Sequence, residues 1–565
     1  MNADKRRWML PGAIGLVLIL SGCADETSSP GPANQDPMAN ELPSYYGTLE
    51  PFVESAVYFV VTDRFVNGDE SNDHRDQGGK HPTFDIPLPE CDGVAANIGY
   101  LGGDFAGLAA HAGYIAEMGF GAVWITPVVD NPNQAFTGGD EIGCDSILTD
   151  RGKTGYHGYW GMNFHRLDEH LPSPAMGFQG LDRALEAHGL ELVLDVVGNH
   201  SSPGWTMPEK QPGFGQVFSA DGELMADHSN LPPAELDPES NPLHAWYNTE
   251  PGLAQLADFN TDNPEVVDYL VDACLQWIEQ GADAFRIDTI PWAPHRFWKE
   301  FADRIRAEHP GFFMFAEAFD YDPAKIAEHT RPENGGVSVL DFPMRRAMQK
   351  VFEDPGSDYA QLSDALMLDD APYANVYELA TFYDNHDMAR LDADDDGFID
   401  AHNWLFTSRG FPVVYYGSET GFMRGRAEHA GNRNYFGSEG IEAARAHPIR
   451  ESLIRIARAR ADSIALQRGV QVMLELSGRR AAFYRVYQHE GMHQIALVLL
   501  NKGDRPERFE ISRGLQPGAW RSALDDAVVE IEDGQPLLRE VPPHGAAVLI
   551  LDAPVKNPEL VAMLR

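Results

Sequence analysis

The stretch NPEVVDYLVDACLQWIEQGADAFRIDTIPW, residues 263–292, holds the unit whose repetition decides the fold. Its first half opens on Asn263-Pro264, a helix-start pair, and continues with apolar residues at helical spacing. Cys274 falls on that pattern and reads as a buried free thiol. The second half, AFRIDTIPW (284–292), alternates apolar and charged residues, which is the period of a strand. Arg286 and Asp288 share one face, flanked by Ala284, Phe285, Ile287 and Ile290, and the run stops at Pro291. A short, buried strand that points an arginine and a carboxylate the same way calls for a reason.

Working outward, the same alternation of helix and short apolar strand recurs from about residue 52 to about 460. Strands are predicted at 56–62, 121–126, 191–197, 283–288, 312–318, 337–342, 379–384 and 411–417. Near-continuous apolar strands separated by helices imply a parallel sheet covered on both faces, and eight is the number that closes a β/α barrel. Residues 201–256 are rich in Pro, Gly and Asp and lack periodicity, so they read as a subdomain inserted after the third strand. The barrel is therefore expected over 46–200 and 257–465. Beyond it, AAFYRVYQ, HQIALVLLN and HGAAVLILD alternate without helices and predict an antiparallel β-sandwich domain over 466–565.

Composition bounds the function. The 565 residues carry 86 Asp and Glu against 43 Lys and Arg, a net charge of −43. Such a field repels nucleic acid and anionic lipid, so an uncharged or cationic substrate is expected and DNA or RNA is not. The chain is expected to act as a monomer. Residues 1–23 read as a targeting segment: Lys5-Arg6-Arg7, an apolar run to Leu20, then LSGC, which resembles a bacterial lipobox with Cys23 as the lipidated residue. Residues 24–45 would form a tether, and Ala24 after the cysteine resembles outer-membrane sorting in a Gram-negative host. An exported protein permits disulfides, and Cys91 and Cys144, both in Gly/Asp-rich loops, are able to pair.

In a β/α barrel, side chains at the carboxyl ends of the strands face the site. The third strand ends DVVGNH, with Asp195, Asn199 and His200; the fourth ends at Arg286 and Asp288; the fifth at Glu317; the seventh ends YDNHD, with Asn385, His386 and Asp387. The loop after the second strand holds GYHGYW, with His157, Tyr159 and Trp160. Singly, each has a structural role to weigh: a helix cap, a satisfied core histidine, a buried ion pair. Together, three carboxylates from three strands suit cleavage of a glycosidic bond, which needs a nucleophile and a proton donor on opposite sides of the anomeric carbon. A carboxylate beside arginine stays ionised, so Asp288 is the nucleophile. Glu317, between Phe315, Ala316, Ala318 and Phe319, sits where apolar surroundings keep a proton on it, so it is the acid/base.

These motifs resemble those of the α-amylase family, glycoside hydrolase family 13. DVVGNH, AFRID, FAEA and YDNHD stand where that family has its main motifs, and GAVWITP, LADFN (256–260) and GYHGYW match secondary ones. The resemblance implies Asp288 as nucleophile, Glu317 as general acid/base and Asp387 as transition-state stabiliser. It implies that Arg286 orients the nucleophile, that His200, His386 and Asn385 lie at the sugar, that Tyr159 stacks on it and that His157 sits beside it. Arg433, in GNRNYFG, resembles a family arginine that binds the same sugar, but the position of its acidic partner is taken by His429. Pro291-Trp292 replaces a Lys-His pair, so sugar binding on the leaving-group side is altered, with Trp292 as a candidate stacking residue.

Calcium is the implied cofactor. DRFVNGDESND (63–73) and LGGDF (101–105) resemble a calcium loop of cyclodextrin glucanotransferases, which implies Asn67, Asp69, Asn72, Asp73, the Gly102 carbonyl and Asp104 as ligands. A second site is implied at Asn199 and Asp258 with a backbone carbonyl near Trp292. DADDDGFID (392–400) has the spacing of a calcium-binding EF-hand loop except for Asn403 at its twelfth position, and reads equally as a solvated acidic loop. The expected reaction is hydrolysis of internal α-1,4 bonds in starch, glycogen or maltodextrins. Cyclodextrin glucanotransferases carry a bulky aromatic where this chain has Ala254, and further C-terminal domains. The alternatives are a transglycosylase or cyclodextrin-acting enzyme of the family, and an inactive lipid-anchored glycan-binding protein, against which the three carboxylates argue.

Overall fold

All eight anticipated strands are present in a computed structural model of the chain, which describes residues 42–74, 77, 83–91, 93–144, 150–525 and 527–565. The targeting segment, Cys23 and most of the tether lie outside the described residues. The strands are β1 (Val57–Val60), β2 (Ala122–Ile125), β3 (Glu191–Val196), β4 (Ala284–Ile287), β5 (Phe313–Ala316), β6 (Ser338–Val339), β7 (Ala380–Thr381) and β8 (Phe411–Tyr415). They lie parallel in the order β6-β5-β4-β3-β2-β1-β8-β7. A parallel bridge between Leu340 and Ala380 joins the two ends, so the sheet closes into a barrel.

Local sequence explains the elements. The helix Pro264–Glu279 starts where Asn263 accepts the Glu265 N–H at 3.0 Å with Pro264 at the first position. It buries Val266, Val267, Leu270, Val271, Cys274 and Trp277 against the barrel, and Cys274 is a buried free thiol. Inside the barrel an aromatic layer replaces the usual branched aliphatics: Phe59 stacks on Trp124 at 3.7 Å, and Trp124 meets Phe315 edge-on at 5.6 Å. Trp124→Ala would empty the layer and cost about 3–5 kcal/mol. Below it, Phe52 plugs the amino end of the barrel, stacked on Phe313 at 4.6 Å.

The excursion after β3 returns to its origin, as an inserted subdomain must: His200–Pro203 pairs antiparallel with Leu256–Asp258. Met207, Phe214 and Leu256 of this excursion share a small core with Phe136 and Trp160 of the segment between β2 and β3. At the carboxyl end of the chain a six-stranded antiparallel sheet includes Arg480–His489, Met492–Asn501 and Gly545–Leu551. The ribbon Glu507–Ile511/Leu537–Val541 packs Phe509 and Leu537 into one core with Trp520 and Leu549 of that sheet.

The acidic run 392–400 begins as a solvated loop, with Asp392, Asp394 and Asp396 exposed, and passes into a helix at Asp395. Asp394 caps the helix Asp395–Thr407 by accepting the Gly397 N–H at 2.9 Å, and Asp400 is buried against His544 at 2.8 Å. Acidic residues in a first helical turn complement the helix dipole, so the run is a helix start and not a calcium loop. Cys91 and Cys144 form a disulfide.

Candidate active site

Strand β4 sets the floor of the site. Its register aligns Arg286 with Asp195 on β3 and with Phe315 on β5. Arg286 is fully buried, its guanidinium 5.2 Å from the Trp124 ring centre. Arg286 Nη1 donates to Asp195 at 2.9 and 3.0 Å and to Asp288 Oδ1 at 2.8 Å, while Nη2 donates to Glu317 Oε2. One fork thus holds three carboxylates from three adjacent strands, which a planar cation does and an ammonium cannot. Asp195, named from sequence only as a strand-end residue, also accepts from Trp124 Nε1 at 3.0 Å and from Tyr159 Oη at 2.8 Å. Burial raises its carboxyl to about 7.

The end of β4 explains its proline. Thr289 takes a left-handed backbone, φ 46°, unusual for a β-branched residue, and the chain turns at once into a tight Ile290–Trp292 turn with Pro291 inside it. The turn stops the strand, sends the Thr289 hydroxyl to Asp288 Oδ2 at 3.0 Å and leaves Trp292 at the rim, 51% exposed.

Glu317 is aligned beside Asp288, since its N–H donates to the Ile287 carbonyl at 2.8 Å. Burial lifts its carboxyl well above the usual range; Arg286 opposes this, and Asp387, Asp288 and Asp195 add to it. The expectation that Glu317 holds a proton agrees with this shift, although neighbouring carboxylates contribute as well as apolar walls. Asp387 goes the other way: burial alone would raise it, but His386 and Arg433 bring it below its ordinary value. Arg433 Nη2 reaches Asp387 Oδ1 at 2.7 Å.

Three further findings amend the sequence reading. Arg433 does have a second acidic partner: Glu428, at 3.2 Å, one residue before the position expected. The backbone kinks within Glu428–Asn432, where Gly431 takes φ 128°, and His429 lies with Nδ1 2.8 Å from the Gly143 carbonyl. Asn385 does not line the cleft; its side-chain oxygen accepts the Asp387 N–H at 3.1 Å, so it positions that loop. Arg286 likewise lies beneath the cleft and not in its wall.

The cleft measures about 290 Å³, and its wall brings together Asp288, Glu317, Asp387, His157, Tyr159, His200, His386, Arg433 and Trp292 from the sequence reading. Phe319, named there only as a neighbour of Glu317, joins them with 51% of its surface exposed. Burial lowers His157, His200 and His386, the last to about 3, so all three are neutral near pH 7. His157 accepts the Tyr159 N–H through Nδ1 at 3.1 Å, which leaves the proton on Nε2. A wall of neutral hydroxyl-compatible donors, aromatic faces and paired carboxylates suits an uncharged polyhydroxylated substrate.

Among the described residues no group of three His, Cys, Asp or Glu side chains is placed to hold a metal ion, so a calcium ion here would need amide and carbonyl oxygens beside any carboxylate. Two places fit. One edge of the Asn199 amide lies 3.1 Å from Asp258 Oδ1 and 3.2 Å from the Trp292 carbonyl, and with its NH2 on that edge it donates to both. The other edge meets His200 Nδ1 at 3.3 Å. An amide, a carboxylate and a backbone carbonyl thus gather at one place, donor types of the kind calcium takes. In the 67–73 loop, Asn72 Oδ1 is buried without a hydrogen-bond partner. Gly102, at φ 95°, has no room for a Cβ, which would lie 2.6 Å from Asn67 Nδ2 and Asp73 Oδ1, and these two side chains hydrogen-bond each other at 2.6 Å. Asp69 caps Ser71, and Asp104 accepts N–H groups from Gly68, Asp69 and Gly107, so these two organise the loop.

A family model described as alpha amylase, catalytic domain, matches residues 59–453. A cyclomaltodextrin glucanotransferase of Geobacillus stearothermophilus is 30% identical over 395 residues, 67% of this chain and 50% of that protein. The chain spans about half the length of the curated relatives it matches. A solved cyclomaltodextrin glucanotransferase with a three-domain ABC distribution superposes with a TM-score of 0.69 at 27% identity, over 88% of this chain and 99% of that one. An Anoxybacillus α-amylase shares the fold, with a TM-score of 0.66 at 24% identity over 89% and 99% of the two chains.

Proposed function

The chain belongs to the α-amylase catalytic-domain family, and on that footing we propose that it cleaves α-1,4-glucosidic bonds of starch-type glucans by double displacement, passing the glycosyl group to a sugar acceptor in competition with water. The carrying observation is the shared Arg286 fork. Asp288 and Glu317 end adjacent strands, which lie ~4.8 Å apart, and both bind one guanidinium. That favours the close carboxyl pair of a retaining enzyme, about 5 Å apart, over the wider pair of an inverting one.

Glu317 gives its proton to the glycosidic oxygen as an Asp288 oxygen bonds to the anomeric carbon and the leaving sugar departs with that proton. The Glu317 carboxylate then takes a proton from the incoming hydroxyl, whose oxygen displaces Asp288 and restores the α-configuration. Asp387, held by Arg433, faces the positive charge that develops on the ring. Tyr159, stacked on His386 at 5.3 Å, offers the sugar an aromatic face.

Transfer to sugar is supported by the relatives and by the exposed pair Trp292 and Phe319 beside Glu317, which would hold an acceptor ring against water. Hydrolysis, the outcome expected from sequence, is the second reading and keeps one support, Ala254 in place of the aromatic. Domain count no longer separates the two, since a glucanotransferase with three domains aligns over 99% of its length. Incubation with soluble starch and labelled glucose decides between them. Label appearing in oligosaccharides supports transfer, and reducing sugar without label supports hydrolysis. Neither product from folded protein refutes both.

Calcium is proposed at the two oxygen clusters. Bound at the Asn199–Asp258 cluster it would supply fixed positive charge, and those residues would then tie the inserted subdomain to the turn that carries Trp292. Export and lipid anchoring through Cys23 are proposed on the lipobox-like LSGC alone and are tested by incorporation of labelled palmitate.

A further inference from the structure

We propose that Lys153 is a positioning residue for the reaction: its ammonium, held between Asp150 and Glu428, fixes Glu428 so that Arg433 stays turned on Asp387. The proposal rests on the reading of the cleft as glycoside-cleaving and adds to it a residue that the cleft wall does not contain.

The charges alternate along one buried line that leads away from the substrate. Arg433 Nη2 meets Asp387 Oδ1 at 2.7 Å, and its Nη1 lies 3.2 Å from Glu428 Oε1. Lys153 Nζ lies 3.0 Å from that same Glu428 oxygen and 2.9 Å from Asp150 Oδ2. Asp387 and Arg433 border the cleft, whereas Lys153, Glu428 and Asp150 lie behind it, buried. Lys153 belongs to the turn before GYHGYW, while Glu428 and Arg433 come from the loop after β8, so the ammonium ties two loops of the rim together. Its backbone is held from both directions: the Gly152 N–H donates to the Phe136 carbonyl and the Phe136 N–H to the Lys153 carbonyl, each at 2.8 Å.

A buried ammonium is tolerated only when it is paired. Burial works against the Lys153 charge, and Glu428 and Asp150 outweigh it, so the side chain stays protonated. His429 does not stand in for it: burial lowers that imidazole, and its Nδ1 donates to the Gly143 carbonyl at 2.8 Å. With Lys153 removed, Glu428 would depend on Arg433, and the guanidinium would be drawn toward Glu428 and off Asp387. The reach of Lys153 extends to Asp387 itself: against burial, His386, Arg433, Arg286 and, last in strength, Lys153 hold that carboxyl below its ordinary value. Asp387 answers a positive charge that the sugar ring develops in the transition state. A loss transmitted through it therefore falls on kcat and spares KM.

The test compares full-length wild type with Lys153→Met, Glu428→Gln and the double variant, each checked for native circular dichroism. For each, kcat and KM are measured for consumption of maltoheptaose. Lys153→Met should lower kcat at least about tenfold with KM within about twofold of wild type. The double variant, which also removes the unmatched Glu428 charge, should return kcat to within about threefold of wild type, above either single variant. A buried lysine with a purely structural role gives no such recovery. A kcat for Lys153→Met within about twofold of wild type, a KM that rises as kcat falls, or a double variant no faster than Lys153→Met overturns the proposal. If Lys153→Met fails to fold, Glu428→Gln, which leaves Lys153 and Arg433 facing each other without the carboxylate, carries the same comparison with the double variant. If wild type leaves maltoheptaose intact, the reading of the cleft fails, and that failure is visible without any variant.

Discussion

Replacing Arg286 by lysine strikes the group on which the whole site depends. Lysine keeps the charge and most of the volume but offers one compact ammonium where a fork now holds Asp195, Asp288 and Glu317. At least one buried carboxylate then loses its cation, and breaking a buried ion pair costs about 3–5 kcal/mol. The cost depends on pH in a definite sense. Asp195 already titrates near 7 in the folded protein, above its unfolded value, so the stability linked to its proton is present in acid and lost as pH rises through 7. Removing the guanidinium moves the folded value higher still, so the variant keeps losing stability above pH 7 after the wild type has stopped. The penalty at pH 8.5 should exceed that at pH 5.5 by at least about 1.4 kcal/mol, the worth of one pKa unit. Urea unfolding followed by circular dichroism at the two pH values measures it, and starch turnover should fall at least about 100-fold as the carboxylates lose their alignment. A penalty equal at both pH values, or turnover within tenfold of wild type, would refute the assignment of Arg286 as the common anchor.

Other outcomes follow from separate parts of the molecule. Reducing Cys91–Cys144, which closes a 53-residue separation, should lower stability by about 4 kcal/mol if the chain-entropy account holds, read as the unfolding midpoint with and without reductant. His544 reaches Asp400, Asp396 and Asp504, whose charges push it up to about 9. Its contribution is complete below pH 6.5 and fades as pH rises through 9, so His544→Ala should flatten the decline in unfolding midpoint between pH 7 and 10. Chelation of calcium should lower the midpoint of the wild type and leave Asp258→Ala less affected, with calorimetric Ca²⁺ binding reduced by one site in that variant.

The barrel was legible because its strands are apolar on both faces and its helices repeat between them, patterns that local physics imposes. The three carboxylates of the cleft were legible because they stand at strand ends. Partnership was harder to read. Asp195 meets Tyr159 and Arg286 only after three strands align, and no spacing in the chain announces that. Glu428 was missed because matching by position lands on His429, whereas the chain kinks at Gly431 and it is Glu428 that reaches Arg433; the glycine was the available signal for an irregular turn. The acidic run at 392–400 satisfied two patterns at once, and capping by Asp394 decided between them. Thr289 looks like an ordinary strand residue in sequence, yet its left-handed backbone is what ends β4 and places Trp292 at the rim.

The central claim is a glycosyl-enzyme on Asp288, and the direct test is to trap it. Glu317→Gln protein incubated with an α-maltotriosyl fluoride, whose fluoride leaves without acid assistance, should accumulate the intermediate, since the second displacement lacks its base. Peptide mapping by mass spectrometry should find the added glycosyl mass on Asp288. An adduct on Asp387 or elsewhere, or fluoride released with inversion and no adduct, would contradict the account.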